Sequence, residues 1–257
     1  MTQTKDQVII RVENLAAGYE GQAILEQVSF EVREGEVFVI LGGSGCGKST
    51  LLKHIIGLYK PLSGKIFIYG DDIAQAEGRA LMKILRNFGV TFQSGALFGS
   101  MTLLENIQLA LEEYTQLPPR AIDLIARMKL KLVGLEGYGA HYPSELSGGM
   151  QKRAALARAM ALDAKILFFD EPSAGLDPIT SAGLDQLIIR LSRNLGITFV
   201  IVSHELASIY AVANRVIMLD KRARTIVAEG RPCDLRDQSD NSYVRRFFNR
   251  ETDADEE

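Results

Sequence analysis

Residues 37–50 read Val-Phe-Val-Ile-Leu-Gly-Gly-Ser-Gly-Cys-Gly-Lys-Ser-Thr, and this stretch decides the fold. Its first five residues form an uninterrupted apolar run, which is typical of a buried strand. Residues 42–49 fit the pattern G-x-x-x-x-G-K-[ST], whose backbone N–H groups can surround phosphate oxygens. Apolar residues then recur with helical spacing between Leu51 and Ile56. A glycine-rich loop that joins a strand to a helix in this way predicts a phosphate-binding site.

The residues of this loop have different expected tasks. Its glycines let consecutive N–H groups point inward, Lys48 is expected to reach the β- and γ-phosphates of ATP, and Ser49 is the expected Mg²⁺ ligand. Small size explains Cys46, with a redox role as the alternative. The predicted nucleotide contacts of the loop and the following helix are Gly42, Gly43, Ser44, Gly45, Cys46, Gly47, Lys48, Ser49 and Thr50.

Composition limits the class of protein. The chain has 257 residues, of which 47% are hydrophobic and 24% charged, enough for one large domain or two lobes with separate cores. The net charge of −3 gives no overall basic field, so nucleic acid is not an expected partner. We expect a soluble chain, because it shows neither a secretory signal nor the roughly 18 consecutive apolar residues of a membrane span. The two cysteines, Cys46 and Cys233, indicate no disulfide framework and fit a reducing cytosol.

Apolar runs and helical patterns alternate along the chain, which predicts a parallel sheet. Strands are predicted at 37–41, 66–69, 90–93, 166–169 and 197–202, and helices at 49–58, 102–111, 120–133, 149–162 and 178–195. A further pair of strands, 216–219 and 225–228, is predicted to form a hairpin. The three middle helices predict a helical subdomain at about 94–163. Near the end, Tyr243, Arg246 and Phe247 share one helical face, followed by an acidic tail.

Two acids follow a buried strand and predict the hydrolytic centre. Asp170 and Glu171 come directly after the apolar run 166–169, at the strand end where open α/β sheets bind ligands. Asp170 is expected to hold Mg²⁺ through water, and Glu171 to polarise the attacking water as general base. A solvated loop face or a helix cap is the alternative. His204 follows the next buried strand, where it is expected to contact the γ-phosphate and orient Glu171.

Gln93 and Tyr19 are weaker candidates when taken alone. Gln93 lies after a strand and before the helical region, so we expect it to touch both Mg²⁺ and the attacking water while sensing the helical lobe; a surface amide is the alternative. Alternating apolar residues at 28, 30 and 32 predict a strand that turns into the strand 37–41 and forms a first hairpin. Tyr19, which precedes this hairpin, is expected to stack on adenine, with core packing as the alternative.

Residues 146–150, Leu-Ser-Gly-Gly-Met, precede a predicted helix. A serine and two glycines at a helix start, here Ser147, Gly148 and Gly149, form a second anion-binding terminus. The same molecule does not need a second such terminus, although simple capping of the helix is the alternative.

The order of these motifs along the chain resembles that of ATP-binding-cassette (ABC) ATPases. The series consists of the phosphate loop, Gln93, Ser147-Gly148-Gly149, Asp170-Glu171, residues 173–177 and His204. The resemblance implies an α/β P-loop NTPase fold of the ABC ATPase type. Its parts are a RecA-like core with an antiparallel β subdomain (1–93 and 164–240), an α-helical signature subdomain (94–163), and a C-terminal helix and acidic tail (241–257). It also implies a homodimer in which two nucleotides lie between the phosphate loop of one subunit and the signature of the other. Asp177 belongs to the loop that links the two sites.

Four strings narrow the resemblance: residues 92–98, 115–118, 143–150 and 169–180 are similar to the ATPase subunits of Mla intermembrane phospholipid transporters, in the Mce-associated branch. Membership implies a peripheral position at the cytoplasmic face of the inner membrane, under two copies of an integral-membrane permease (MlaE-like). It also implies an Mce-domain protein (MlaD-like) and, in many members, a STAS-domain protein (MlaB-like). Met150 departs from the glutamine usual in ABC proteins, which puts details of the second-site contact in doubt.

Other readings of the motifs stay open. The core motifs fit the ATPase of another importer or exporter equally well. A soluble ABC ATPase acting on ribosomes or DNA usually carries two cassettes, a long coiled-coil insert or Cys-rich zinc modules, none of which this sequence shows. Residues 94–106 either dock on the permease or, through Leu97, Phe98, Met101 and Leu103, belong to the subdomain core.

Overall fold

A computed structural model describes residues 7–93 and 95–251, whose strands divide between two sheets. The strands are β1 (Val8–Tyr19), β2 (Gln22–Arg33), β3 (Val37–Gly42), β4 (Ser63–Ile68), β5 (Asp71–Asp72), β6 (Phe88–Thr91), β7 (Ile166–Asp170), β8 (Thr198–Val202), β9 (Arg215–Asp220) and β10 (Thr225–Gly230). The α-helices are α1 (Lys48–Ile55), α2 (Gly78–Leu85), α3 (Leu103–Tyr114), α4 (Pro119–Leu132), α5 (Gly148–Ala159), α6 (Pro178–Leu195), α7 (Leu206–Val212), α8 (Pro232–Gln238) and α9 (Ser242–Asn249).

The larger sheet has the order β10-β9-β3-β8-β7-β6. Its five strands from β9 to β6 run parallel, and β10 joins as the second strand of a hairpin with β9. The predicted parallel sheet and the hairpin 216–228 are therefore confirmed, except that the predicted strand 66–69 belongs to the other sheet, as β4. Strands β3 and β8 are buried along their whole length, because both faces of the sheet are covered. The loops after β3, β6, β7 and β8 all leave from the same edge.

The smaller, antiparallel sheet has the order β2-β1-β4-β5. Its first hairpin joins β1 to β2, with Tyr19 paired to Gln22 across the turn. The prediction that Tyr19 precedes the first hairpin is therefore wrong, because β1 was not recognised as a strand. The turn residues Glu20 and Gly21 both have positive φ, as a two-residue hairpin turn requires.

The apolar side chains of β3 alternate between two cores. Val37, Val39 and Leu41 join a cluster that also contains residues of α3–α6. Phe38 and Ile40 join the second cluster, which contains residues of the antiparallel sheet and α1. Successive side chains of a strand point to opposite faces, so β3 packs against both hydrophobic clusters.

Helices α3, α4 and α5 lie between β6 and β7 in the chain. Helix α3 begins with a capping box, in which the Glu105 N–H donates to Thr102 Oγ1 (3.3 Å) and the Thr102 N–H donates to Glu105 Oε2 (2.7 Å). Helix α4 begins at Pro119, where a missing N–H has no cost. The proposed subdomain boundaries stay predictions.

Helix α9 confirms a helix near the end of the chain, but its buried residues are Val244 and Phe248, and the predicted face of Tyr243, Arg246 and Phe247 is only partly buried. The acidic residues 252–257 lie outside the described part of the chain, whereas α2, α7 and α8 were not predicted. Among the helices that the structure describes, none has both the length and the apolar character needed to cross a bilayer.

Gly89 on β6 permits a close approach of α5. A Cβ at this position would lie 2.0 Å from the backbone oxygen of Ala159. We expect Gly89→Ala to lower the free energy of unfolding by about 1–3 kcal/mol, because the strand and the helix must move apart. Gly137→Ala is the matched control, since no atom lies within 4 Å of its added Cβ. Thermal denaturation measures both, and equal stability of the two variants would contradict the close approach.

Candidate active site

The edge formed by the parallel strands opens into a cavity of about 710 Å³. This size lies within the range of about 300–1,000 Å³ typical of small-molecule sites. Its lining residues are Ile24, Gly42, Gly43, Ser44, Gly45, Gly47, Lys48, Ser49, Thr50, Gln93, Glu171, His204 and Phe247. The phosphate loop, Gln93, Glu171 and His204 come from four separate loops and border this one cavity. The sequence predicts them as one site.

The phosphate loop takes its shape from glycine conformations. Gly45 and Gly47 have φ of 71° and 100°, and a Cβ on Gly42 would lie 2.5 Å from the backbone oxygen of Leu219. The Lys48 ammonium donates to the carbonyl oxygens of Gly42 (2.9 Å) and Gly43 (3.0 Å). Lys48 therefore lies across the phosphate loop, at the place where it is predicted to bind phosphate.

Cys46 does not line the cavity but is buried beneath the loop, with 2% of its surface exposed. Burial raises the pKa of its thiol above the ordinary value, and the Lys48 charge opposes this only in part. A buried thiol with a raised pKa has little thiolate and little reactivity. The environment favours the packing explanation of Cys46 over the redox alternative.

Ser49 and Asp170 meet at the floor of the site. The Ser49 hydroxyl donates to Asp170 Oδ1 at 3.2 Å. Burial raises the pKa of the Asp170 carboxyl, the hydrogen bond from Ser49 opposes that effect, and the neighbouring Glu171 charge adds to it. A hydroxyl and a carboxylate side by side form the oxygen-rich pair that Mg²⁺ prefers.

Glu171 and His204 form a direct pair. His204 Nδ1 lies 2.8 Å from Glu171 Oε1, and the Glu171 N–H donates to the carbonyl oxygen of Val202 at 2.9 Å. Glu171 has φ of 49°, a left-handed conformation that costs about 1–3 kcal/mol in residues other than glycine. Its side chain is 12% exposed and that of His204 64% exposed. The strained backbone aims a mostly buried carboxylate at the cavity, and the histidine holds it there.

Gln93 connects the cavity to the signature helix. Its backbone oxygen accepts a hydrogen bond from the Lys152 ammonium on α5. Burial lowers the pKa of Lys152, while the charges of Asp170 and Glu171 act in the opposite direction. One lysine thus lies near both the acids and the loop that leads into the helical region.

Tyr19 lies beside the cavity and is not among its lining residues. Its hydroxyl donates to Thr50 Oγ1 at 3.1 Å, and its ring meets the edge of Tyr59 with centroids 4.9 Å apart. Stacking of Tyr19 on adenine stays a prediction. Sequence reasoning missed two lining residues, Ile24 and Phe247, because neither belongs to a local motif and Phe247 reaches the cavity from α9.

The signature residues lie outside this cavity in the described structure. Ser147 caps α5 by accepting from the Met150 N–H (3.4 Å), and both Ser147 and Gly148 are exposed. Gly149 is buried, and a Cβ there would lie 2.2 Å from Thr180 on α6. None of the three lines the cavity.

Asp177 serves as the N-cap of α6. Its Oδ1 accepts from the N–H groups of Ile179 and Thr180, both at 3.0 Å. The Thr180 hydroxyl bond, followed by these backbone bonds, lowers the pKa of the Asp177 carboxyl. Its predicted place at the nucleotide site depends on a second subunit and stays a prediction.

A phosphate loop, a hydroxyl–carboxylate pair and a histidine-held glutamate at one edge of a parallel sheet define a P-loop ATPase. The sequence model of the family described as ABC transporter matches residues 25–174, more than half of the chain. The chain belongs to the ABC transporter family of ATP-binding proteins, and it is an ATPase.

Two relatives and one solved structure illustrate this membership. The chain is 40% identical over 250 residues to the intermembrane phospholipid transport system ATP-binding protein MlaF of Haemophilus influenzae, covering 97% of this chain and 93% of that protein. It is 41% identical over 242 residues to the probable ribonucleotide transport ATP-binding protein mkl of Mycobacterium leprae, covering 94% and 69%. The dimeric ATP-binding cassette MJ0796, in a post-hydrolysis state with ADP and phosphate bound, has a TM-score of 0.77 and 31% identity, covering 87% and 98%.

We expect Glu171→Gln to retain ATP binding and to lose turnover by at least about 100-fold, because an amide cannot accept the proton of the attacking water. Phosphate release measures turnover and calorimetry measures ATP affinity. Glu112→Gln, an exposed change on α3, is the control and should hydrolyse ATP normally. Turnover of Glu171→Gln within twofold of the unmodified protein would exclude Glu171 as the base.

Lys48→Ala should weaken ATP binding itself by at least about tenfold, because it removes a charge-assisted contact to the phosphates. Calorimetric titration with ATP tests this expectation. Lys131→Ala removes an equal charge from an exposed site on α4 and should bind ATP with unchanged affinity. Equal affinities of the two variants would argue against the role of Lys48.

Proposed function

We propose that this ATPase is the nucleotide-binding subunit of a transporter that moves phospholipid between the inner and outer membranes. In this role it lies on the cytoplasmic face of the inner membrane and acts as a homodimer beneath an integral-membrane permease. The observation that supports phospholipid as the cargo is the 40% identity to MlaF of Haemophilus influenzae, which extends over 97% of this chain. Four motif strings of this sequence point to the same branch.

An incomplete site within one subunit supports the homodimer. The start of α5 presents an exposed serine and glycine, Ser147 and Gly148, while the cavity around Lys48 lacks any contribution from them. A helix start with free N–H groups attracts a phosphate. Two subunits arranged head to tail would bring each exposed helix start to the other subunit's cavity, as the dimeric form of the cassette MJ0796 suggests by analogy.

Within each site, the phosphate loop and Lys48 hold the triphosphate, and Glu171 polarises the water that attacks the γ-phosphorus. His204 keeps the Glu171 carboxylate in place through the 2.8 Å contact. Ser49 and Asp170 would hold Mg²⁺, with Gln93 at the cavity wall. The described residues contain no cluster of three or more His, Cys, Asp or Glu suited to a metal. Mg²⁺ at nucleotide sites needs only one or two protein ligands besides phosphate and water, so the residues fit.

A groove of about 480 Å³ is the proposed docking site for the permease. It lies between α2, β6, α3 and α5, and its lining includes Met82, Phe92, Phe98, Tyr114 and Arg158. Its apolar lining and open form suit a short amphipathic segment. The groove adjoins the Gln93 loop, which Lys152 ties to α5, so movement at the nucleotide can reach a docked segment.

Residues 95–106 divide between the two alternatives that the sequence left open. Leu103 is fully buried and belongs to the core. Phe98 is 44% exposed, and the Arg158 guanidinium lies over its ring at 4.6 Å from the centroid. Asn106 is buried and anchors the loop, since its Nδ2 donates to the carbonyl oxygens of Phe98, Met101 and Thr102. We therefore propose that Phe98 and the groove dock on the permease, whereas Leu103 packs in the core.

The alternative function is that of an ATPase for a different cargo. It is favoured by the mycobacterial relative, whose name assigns it to ribonucleotide transport. Purification of the chain with its partners from detergent-solubilised membranes separates the two. A permease together with an Mce-domain protein, a STAS-domain protein and bound phospholipid would support the proposal, whereas a solute-binding protein or bound nucleotide cargo would overturn it.

Ser147→Arg should leave ATP binding by single subunits within twofold and prevent ATP-induced dimerisation, because a large cation would fill the contact to the second subunit's nucleotide. Light scattering on the Glu171→Gln background, with and without ATP, measures the dimer. Ala140→Arg adds the same charge at another exposed position of the helical region and should still dimerise. ATP-dependent dimers of Ser147→Arg would refute the shared site.

A further inference from the structure

A buried carboxylate outside the motifs lies close to the hydrolytic pair. Asp185 on α6 is 7% exposed, and its Oδ2 accepts a hydrogen bond from the Ser208 hydroxyl at 2.9 Å. Ser208 lies in the first turn of α7 and is itself buried. Because Ser208 donates its proton to Asp185, the Ser181 hydroxyl, 3.3 Å away, is the donor to Ser208. Two residues one helical turn apart on α6 thus hold one residue of α7.

The position of α7 controls the position of His204. Strand β8 ends at Val202 and α7 begins at Leu206, so His204 lies in a linker of only three residues. Within that linker the Glu205 N–H donates to Ser203 Oγ at 3.1 Å, and Ser203 is buried. A linker this short has little freedom once both of its ends are fixed, so any shift of α7 moves the imidazole.

A small cavity of about 10 Å³ brings the same residues next to the acids. Asp185 and Ser208 line it together with Pro172, the neighbour of Glu171, and Ser203, the neighbour of His204. The Asp185–Ser208 bond therefore shares a cavity with the chain neighbours of both members of the hydrolytic pair, without touching either member.

Stability alone does not account for a carboxylate at this position. Burial raises the pKa of Asp185, the hydrogen bond from Ser208 opposes this, and the charge of Glu205 adds to it. An apolar side chain of similar size would avoid the desolvation of a charge, whereas the carboxylate supplies an acceptor that holds the Ser208 hydroxyl.

We propose that Asp185 and Ser208 are positioning residues, which fix α7 so that His204 stays within hydrogen-bond distance of Glu171. They also connect His204 to α6. The N-cap of this helix, Asp177, belongs to the loop that is expected to face the second subunit. The proposal depends on the role of His204 given in the proposed function. It makes the α6–α7 contact the route by which closure of the dimer reaches the hydrolytic pair.

Ser208→Ala removes the donor and is expected to lower kcat for ATP about fivefold, with KM within about twofold, because binding groups are untouched. Ser208→Thr keeps the hydroxyl and should restore kcat. Ser192→Ala is the matched control: Ser192 is also buried, lies on α6 and donates to the carbonyl oxygen of Gly35 at 3.0 Å, far along the helix from Asp185. It should lose stability in thermal denaturation without loss of kcat. An unchanged kcat for Ser208→Ala would overturn the proposal.

A double-mutant cycle with His204→Ala separates positioning from a general structural effect. If Ser208 acts through His204, Ser208→Ala causes no further loss of kcat in the His204→Ala background. An equal fivefold loss in both backgrounds would overturn the positioning role while leaving the role of His204 intact. Normal turnover of His204→Ala alone would instead refute the proposed role of the histidine.

Asp185 supplies an independent pair of variants, which serves equally if Ser208→Ala does not fold. Asp185→Asn keeps an oxygen acceptor for the Ser208 hydroxyl and should retain kcat within about twofold. Asp185→Leu removes the acceptor and should lose about fivefold. The same kcat in both Asp185 variants would contradict the proposal.

Discussion

The register between β3, β8 and β7 is the constraint on which the site depends. Ile40 pairs with Val202, and Val202 pairs with Asp170, so three loops leave the sheet side by side. A slip of one residue would turn every side chain of a strand to the opposite face. The 3.2 Å contact from Ser49 to Asp170 and the Glu171 N–H bond to Val202 both require the observed register. The catalytic side chains are thus positioned by the backbone hydrogen bonds between buried strands.

The same strands explain how a rigid site can coexist with moving parts. Because β3 sends alternate side chains into two separate cores, the sheet is fixed from both faces. Gln93 and His204, which are proposed to respond to nucleotide, instead lie on connections between these elements: Gln93 leads out of β6, and His204 lies between β8 and α7. Lys152 of α5 bonds to the first connection, and Ser181 and Asp185 of α6 hold Ser208 of α7, just after the second. Loops of this kind can change conformation without disturbing the core.

Sequence reasoning found the parts of the fold whose signal is local. The apolar runs of β7 and β8, the proline start of α6 and the phosphate loop all carry their information within a few residues. Strand β1 escaped recognition because its register shifts between Val12 and Leu15, and polar Glu13 and Asn14 interrupt the period-two pattern. The place of Phe247 at the cavity and the contact of Asp185 with Ser208 join residues that are distant in sequence. No local pattern predicts such pairs, since the packing of complete helices creates them.

Tight packing also joins the signature at the start of α5 and the loop that ends at Asp177 into one surface. The start of α5 lies so close to the start of α6 that a Cβ on Gly149 would clash with Thr180, whose hydroxyl is bonded to Asp177. A shift of the signature would therefore press on the start of α6, which Asp177 caps, and the reverse. In the proposed dimer that combined surface meets the second subunit, and α6 continues from it to Asp185 and Ser208. In that proposed dimer, α6 would transmit contact with the second subunit to the linker that holds His204. Closure of the dimer would then be coupled to hydrolysis without any contact between the two nucleotides.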